Sequence, residues 1–138
     1  MKTLQTLGCH GGRQTGIFQY KRTNIGVHID LSIGRSKKLA QKKIDLTHQE
    51  WGDILTTIGN QNQNTLRITN QNPANVPPYN SLYALIDVAV PAPSSGFNWH
   101  DSYKACICAI LEHEGSVDLY HGTLGRNNSA MICLKRDF

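Results

Sequence analysis

The residues best equipped for chemistry gather near the end of the chain, in "LEHEGSVDLYHGTLGRNN", where Glu112, His113, Asp118 and His121 fall within ten positions. Imidazole changes charge near neutral pH, and carboxylates beside it widen the choice of proton donors and acceptors, so this set could supply a general acid and a general base. Lys104, or the cations upstream, could then steady a phosphate. That chemistry is the chemistry of a small histidine-dependent enzyme, a nuclease or a nucleotide transferase. Against it stands a plainer reading: the six histidines are scattered over 138 residues, and "DLYHGT" also reads as a strand ending near His121 and entering the turn "TLGRNN".

A second kind of chemistry is electrostatic. The chain carries a formal net charge of +4, and "GRSKKLAQKK" concentrates Arg35, Lys37, Lys38, Lys42 and Lys43 within nine residues. Such a cluster can neutralise several phosphates, and binding of that kind weakens steeply with salt. Tyr20, Lys21 and Arg22 extend the basic surface, with the tyrosine ring as a stacking platform. No helix-turn-helix or RNA-binding signature accompanies these residues, so an acidic protein would serve as partner equally well. A solvated loop is the plain alternative.

Two further motifs invite comparison with known families. Tyr120, His121, Gly122 and Thr123 resemble the "YHGT" opening of the ADP-ribosyltransferase fold, in which the His and Gly-Thr segment helps to bind a nicotinamide cofactor and a later Glu supports catalysis. Residues 124–138 alone follow that motif here, whereas that fold places most of its domain, including the glutamate strand, after the histidine. "LGCHGGR", "VHIDLS" and "DLTHQEWGD" look similar to segments of the metallo-β-lactamase fold. Its zinc chemistry needs a His-x-His-x-Asp-His cluster, and His48 is followed instead by Gln49, Glu50, Trp51 and Gly52. No metal and no cofactor are therefore expected. Gly8, Gly11 and Gly12 with Arg13 could offer backbone N–H groups to an anion, but no Gly-Lys-Ser/Thr completes a Walker loop. Cys9, Cys106, Cys108 and Cys133 show no paired CxxC spacing, which points to reduced thiols in place of a zinc knuckle or disulfide framework.

These residues need elements to hold them. In "LTHQEWGDILTTIGN", Thr47 is an N-cap, Glu50 completes a capping box, and Leu46 can staple onto Trp51. Trp51, Ile54, Leu55 and Ile58 then make one apolar helical face, and Gly59 supplies a left-handed terminator. "NIGVHIDLSIG" alternates Ile25, Val27, Ile29, Leu31 and Ile33 against polar residues that include His28 and Asp30, as a half-buried strand does. "GIFQYKR" is its hairpin partner, "KTLQTL" a third strand, and the basic segment a bridge from hairpin to helix. "TLRIT" is a short strand within an Asn-, Gln- and Pro-rich connection. "SLYALIDVAVP" is apolar on nearly all sides, so periodicity leaves a buried helix and a buried strand both open; it is read as a helix. "NWHDSYKACICAILEHEG" is read as a helix with Asn98 as cap, Trp99, Tyr103, Cys106, Ile107, Ile110 and Leu111 on one face, and Gly115 as terminator; a strand alternating Tyr103, Ala105, Ile107, Ala109 and Leu111 competes, and length and aromatic spacing favour the helix. "SVDLYHG" and "SAMICLKRD" close the chain as strands.

The order β-β-β-α-β-α-α-β-β predicts a single α+β domain over 1–138: a mainly antiparallel sheet, built from the N-terminal hairpin plus the C-terminal strands and covered by two or three helices. With 39% hydrophobic and 17% charged residues, no run near the ~20 apolar residues of a membrane span and no export signal, a soluble cytoplasmic protein without membrane contact is expected. The preferred functional expectation is a small non-enzymatic binding or regulatory protein, an inhibitor or accessory factor of phage or bacterial type. Its basic loop would contact a nucleic acid, a nucleoprotein or an acidic protein. The alternative is the histidine enzyme at Glu112, His113, Asp118 and His121, of nuclease, nucleotide-transferase or ADP-ribosyltransferase type.

Overall fold

Alternation along the first half of the chain builds an antiparallel meander. In a computed structural model describing residues 1–6, 16–34, 39, 41–61, 65–67, 81–120 and 132–135, strands β1 (Lys2–Gln5), β2 (Ile17–Arg22), β3 (Gly26–Asp30) and β4 (Lys43–Thr47) form one sheet in that order. Phe18, Tyr20, Val27, Ile29, Ile44 and Leu46 turn inward and are buried. Strand β4 was not expected, since its lysines merge with the basic run; "KIDLT" nevertheless alternates, with Ile44 and Leu46 inside and Lys43 and Asp45 outside. The alternation predicted through Ile25 and Ile33 stops short of both. Ile25 is 70% and Ile33 51% exposed, because they lie in the turns flanking β3.

Helix α1 (His48–Gly59) begins as the capping box predicts. Thr47 Oγ1 accepts from the Glu50 N–H at 3.1 Å, and Glu50 Oε1 accepts from the Thr47 N–H at 2.9 Å. Trp51, Ile54 and Ile58 are buried against the sheet and α2, each contributing ~2 kcal/mol of apolar transfer. The end differs from expectation. The helix runs through Gly59 to Asn60, whose φ of −78° is right-handed and whose N–H returns to Thr56 O, so no left-handed glycine is needed.

The ambiguous apolar run is helix α2 (Leu82–Ala89), started by Ser81, whose hydroxyl accepts from the Ala84 N–H at 3.0 Å. Helix α3 (Asp101–His113) starts later than predicted and is capped by His100 in place of Asn98: imidazole Nδ1 accepts from the Ser102 N–H at 3.0 Å. Trp99 therefore precedes the helix, and its indole N–H donates to Val90 O at 2.7 Å. Every residue from Tyr103 to Leu111 is buried, because α3 meets α2, β1 and β6 on different sides. Even Lys104 is enclosed, its ammonium 2.6 Å from Asp87 Oδ2 and 5.9 Å from the centroid of the Tyr83 ring. Gly115, at φ +84°, ends the helix in the conformation glycine adopts most readily.

Strands β5 (Thr65–Arg67), β6 (Val117–Tyr120) and β7 (Ile132–Lys135) make a second antiparallel sheet, ordered β5-β7-β6. The protein is thus the predicted single compact α+β domain, with the C-terminal strands in a sheet of their own. Among the described residues no helix is long and apolar enough to cross a membrane.

Candidate functional site

The pleat of β2 separates the three residues that the sequence grouped as one basic surface. Side chains alternate across a strand, so Lys21 faces outward while Tyr20 and Arg22 share the inner side. Arg22 Nε donates to Glu114 Oε2 at 3.1 Å, its Nη2 pairs with Oε1 of the same carboxylate, and its guanidinium lies 5.0 Å from the Trp51 ring centroid. The Tyr20 hydroxyl donates to Glu114 Oε2 at 3.2 Å. Burial, reinforced by the Glu114 charge, pushes that phenol above its ordinary value. These bonds tie β2 to the C-terminus of α3 and the first turn of α1. Tyr20 is only 6% exposed, which corrects its expected role as a stacking platform: its ring belongs to the core.

The outer face of the meander is polar and follows the strand register. Lys21, His28 and Asp45 lie in one row across the strands, and Gln19, Asp30 and Lys43 in the next. His28 Nδ1 is 2.7 Å from Asp45 Oδ1. Asp30 Oδ1 accepts from the Ser32 hydroxyl at 2.5 Å and from the Ser32 N–H at 2.8 Å. These two bonds, hydroxyl first, hold the Asp30 carboxyl below its ordinary value against the opposing effect of burial, with smaller help from Lys43 and His28.

At one end of this face lies a rim. The Leu31 N–H donates to Lys42 O at 2.6 Å, closing the base of the β3–β4 connection. The Gly34 N–H turns back to Leu31 O at 3.1 Å, and a Cβ on Gly34 would fall 2.8 Å from Ile17 O, so the turn is pressed against the first residue of β2. Lys42 and Lys43 are exposed here. Together with Lys21 they make no ion pair among the described residues, where Arg22, His28 and Lys104 account for the pairs formed. Arg35, Lys37 and Lys38 belong to the same connection and lie outside the described residues. So do His10 and the Gly8, Gly11, Gly12 and Arg13 run, whose connection leaves the sheet at this end: Thr6 and Gly16, which flank it, are joined by a 2.8 Å backbone bond.

The histidine constellation is only partly brought together. His113 is the last residue of α3, exposed, with its ring edge-on to Tyr20 at 6.1 Å between centroids. Glu112 precedes it on the helix and Asp118 sits in β6 beyond the Gly115 turn; His121 lies outside the described residues. Among the described residues no three His, Cys, Asp or Glu side chains group as a metal site would require. The Arg22–Glu114 tie and the His28–Asp45 pair escaped the sequence reading. For the second, the period-two signal of "KIDLT" was available; for the first, no local signal exists, because its partners stand 92 residues apart. The chain matches no protein-family model, no curated protein and no solved structure.

Proposed function

We propose that this is a non-enzymatic binding protein that engages an anionic partner through the basic rim at the β3–β4 end of its first sheet. The observation that supports the reading is the division of labour among its described cations. Arg22 and Lys104 are consumed by ion pairs that hold elements together. Lys42 and Lys43 stand exposed where the connection bearing Arg35, Lys37 and Lys38 joins the sheet, and Lys21 stands exposed on the same outer face as Lys43, one row further along the strands. None of the three forms an ion pair among the described residues, although Lys43 stands opposite Asp30 and lowers its carboxyl, and exposed cations of this kind set the encounter rate by electrostatic steering. A regulatory role, as inhibitor or accessory factor, is the form of binding proposed. The test is a tagged-protein capture from lysate, scored for nucleic acid by staining and for protein by mass spectrometry. The wild type should retain a partner that a variant with Gln at 35, 37, 38, 42 and 43 loses, while His113→Ala keeps it. Equal capture by the neutralised variant, or loss with His113→Ala alone, overturns the proposal.

A further inference from the structure

The rim carries more than charge, and its second ingredient narrows the partner. Resting on the binding reading above, we propose that the rim accepts an acidic protein segment bearing apolar side chains, in preference to a nucleic acid.

Two of the exposed large apolar residues belong to it: Ile17 is 50% and Ile33 51% exposed. Their backbones approach each other here, because Gly34, next to Ile33, is packed on the Ile17 carbonyl, with its Cβ position 2.8 Å from that oxygen. Ile17 shares the outer face with Gln19, and Lys43 lies in the Gln19 row. Ile17 and Lys43 therefore lie toward one end of the outer face, with Ile33 and Lys42 exposed in the segments that border it. Scattered exposed apolar residues are ordinary; a pair fixed beside a cationic edge offers an anchor as well as a charge.

The rest of the face argues against a phosphate backbone. Among its strand residues His28 has the sole flat ring, and that ring is half-buried and held by Asp45, so a platform for successive bases is lacking. Asp45, with 56% of its side chain exposed, would repel a polyanion crossing the sheet. An acidic segment that stops at the rim meets Lys42 and Lys43 with its carboxylates and the two isoleucines with its apolar side chains. Charge complementarity selects the acid, and the isoleucines select an amphipathic chain over a uniformly charged one.

The experiment uses the full chain and three labelled probes followed by fluorescence anisotropy: a short peptide alternating Glu and Leu, one of equal charge alternating Glu and Ser, and a short duplex DNA. Wild type should bind the Glu/Leu peptide about tenfold tighter than the Glu/Ser peptide, the ratio given by ~1.4 kcal/mol of apolar burial. Ile17→Ser with Ile33→Ser should erase that ratio and leave Glu/Ser binding unchanged. Ile33→Ser alone, in a turn, should reduce the ratio without disturbing the strand. Lys42→Gln with Lys43→Gln should weaken both peptides. Equal affinities of the wild type for the two peptides, or tighter binding of the duplex, overturn this inference and leave the basic rim standing. So does self-association of the wild type that the isoleucine variant loses, since a second copy would then cover the patch. If none of the probes binds, the rim reading falls with it.

Discussion

Lys21 and Arg22 are chain neighbours with the same charge, yet mutation of Arg22 alone should lower stability. Replacing Arg22 with Gln removes a two-point contact to Glu114 and the cation over Trp51. The Arg22 side chain is 42% and that of Glu114 24% exposed, so solvent screening limits the ion pair to ~0.5 kcal/mol. The cation over Trp51 adds about the same or a little more at such a site. Arg22→Gln should therefore lower unfolding free energy by about 1 to 1.5 kcal/mol. Glu114→Gln should cost about 1 kcal/mol by weakening both Arg22 and Tyr20, while outward-facing Lys21→Gln should stay within ~0.5 kcal/mol of wild type. Urea titration at constant m-value reads these differences, and a double-mutant cycle isolates an Arg22–Glu114 coupling of ~0.5 kcal/mol that shrinks with added salt. The partition of structural from binding cations is refuted if Arg22→Gln is as mild as Lys21→Gln. It is equally refuted if Arg22→Gln, still folded, loses affinity for an anionic probe as fully as the rim variant does.

Three other outcomes follow from single contacts. Gly26→Ala would place a Cβ 1.9 Å from Leu46 O and 2.6 Å from the Thr47 carbonyl carbon, backbone that cannot step aside, so a loss of about 3 kcal/mol or failure to fold is expected in urea titration. His100→Ala removes the cap of α3 and should cost ~1 kcal/mol, with His100→Asp restoring most of it as read by thermal unfolding. Asp30 is held below its ordinary value by Ser32, so its contribution is complete above the unfolded-state value and fades as pH falls through the lower folded one. Ser32→Ala should flatten the acid side of the stability-against-pH curve below about pH 4, and an unchanged curve would count against the assignment.

The elements that declared themselves in sequence did so through local physics. The box formed by Thr47 and Glu50, the two-residue period of β3 and the glycine after α3 each depend on neighbours a few positions away. Strand β4 was hidden because Lys42 and Lys43 made its start look like part of a charged loop, although Ile44 and Leu46 already alternated. The cap of α3 was misplaced because histidine is a less common cap than Asn98 would be, and its Nδ1 does the same work only with the proton on the other nitrogen. The basic surface was legible as a cluster in the chain, but its division was not. Whether Arg22 binds a partner or Glu114 depends on which face of β2 it takes and on where α3 ends, and neither is written locally.

We attribute binding to the exposed cations at the β3–β4 end of the first sheet. Its most direct reading is the affinity of the 138-residue chain for the acidic Glu/Leu peptide as a function of salt, wild type against the variant with Gln at 35, 37, 38, 42 and 43. Affinity of the wild type should fall steeply with salt, and the variant should bind at least about tenfold more weakly with a much shallower dependence. Equal affinity and equal salt dependence of the two proteins would show that these cations do not carry the binding.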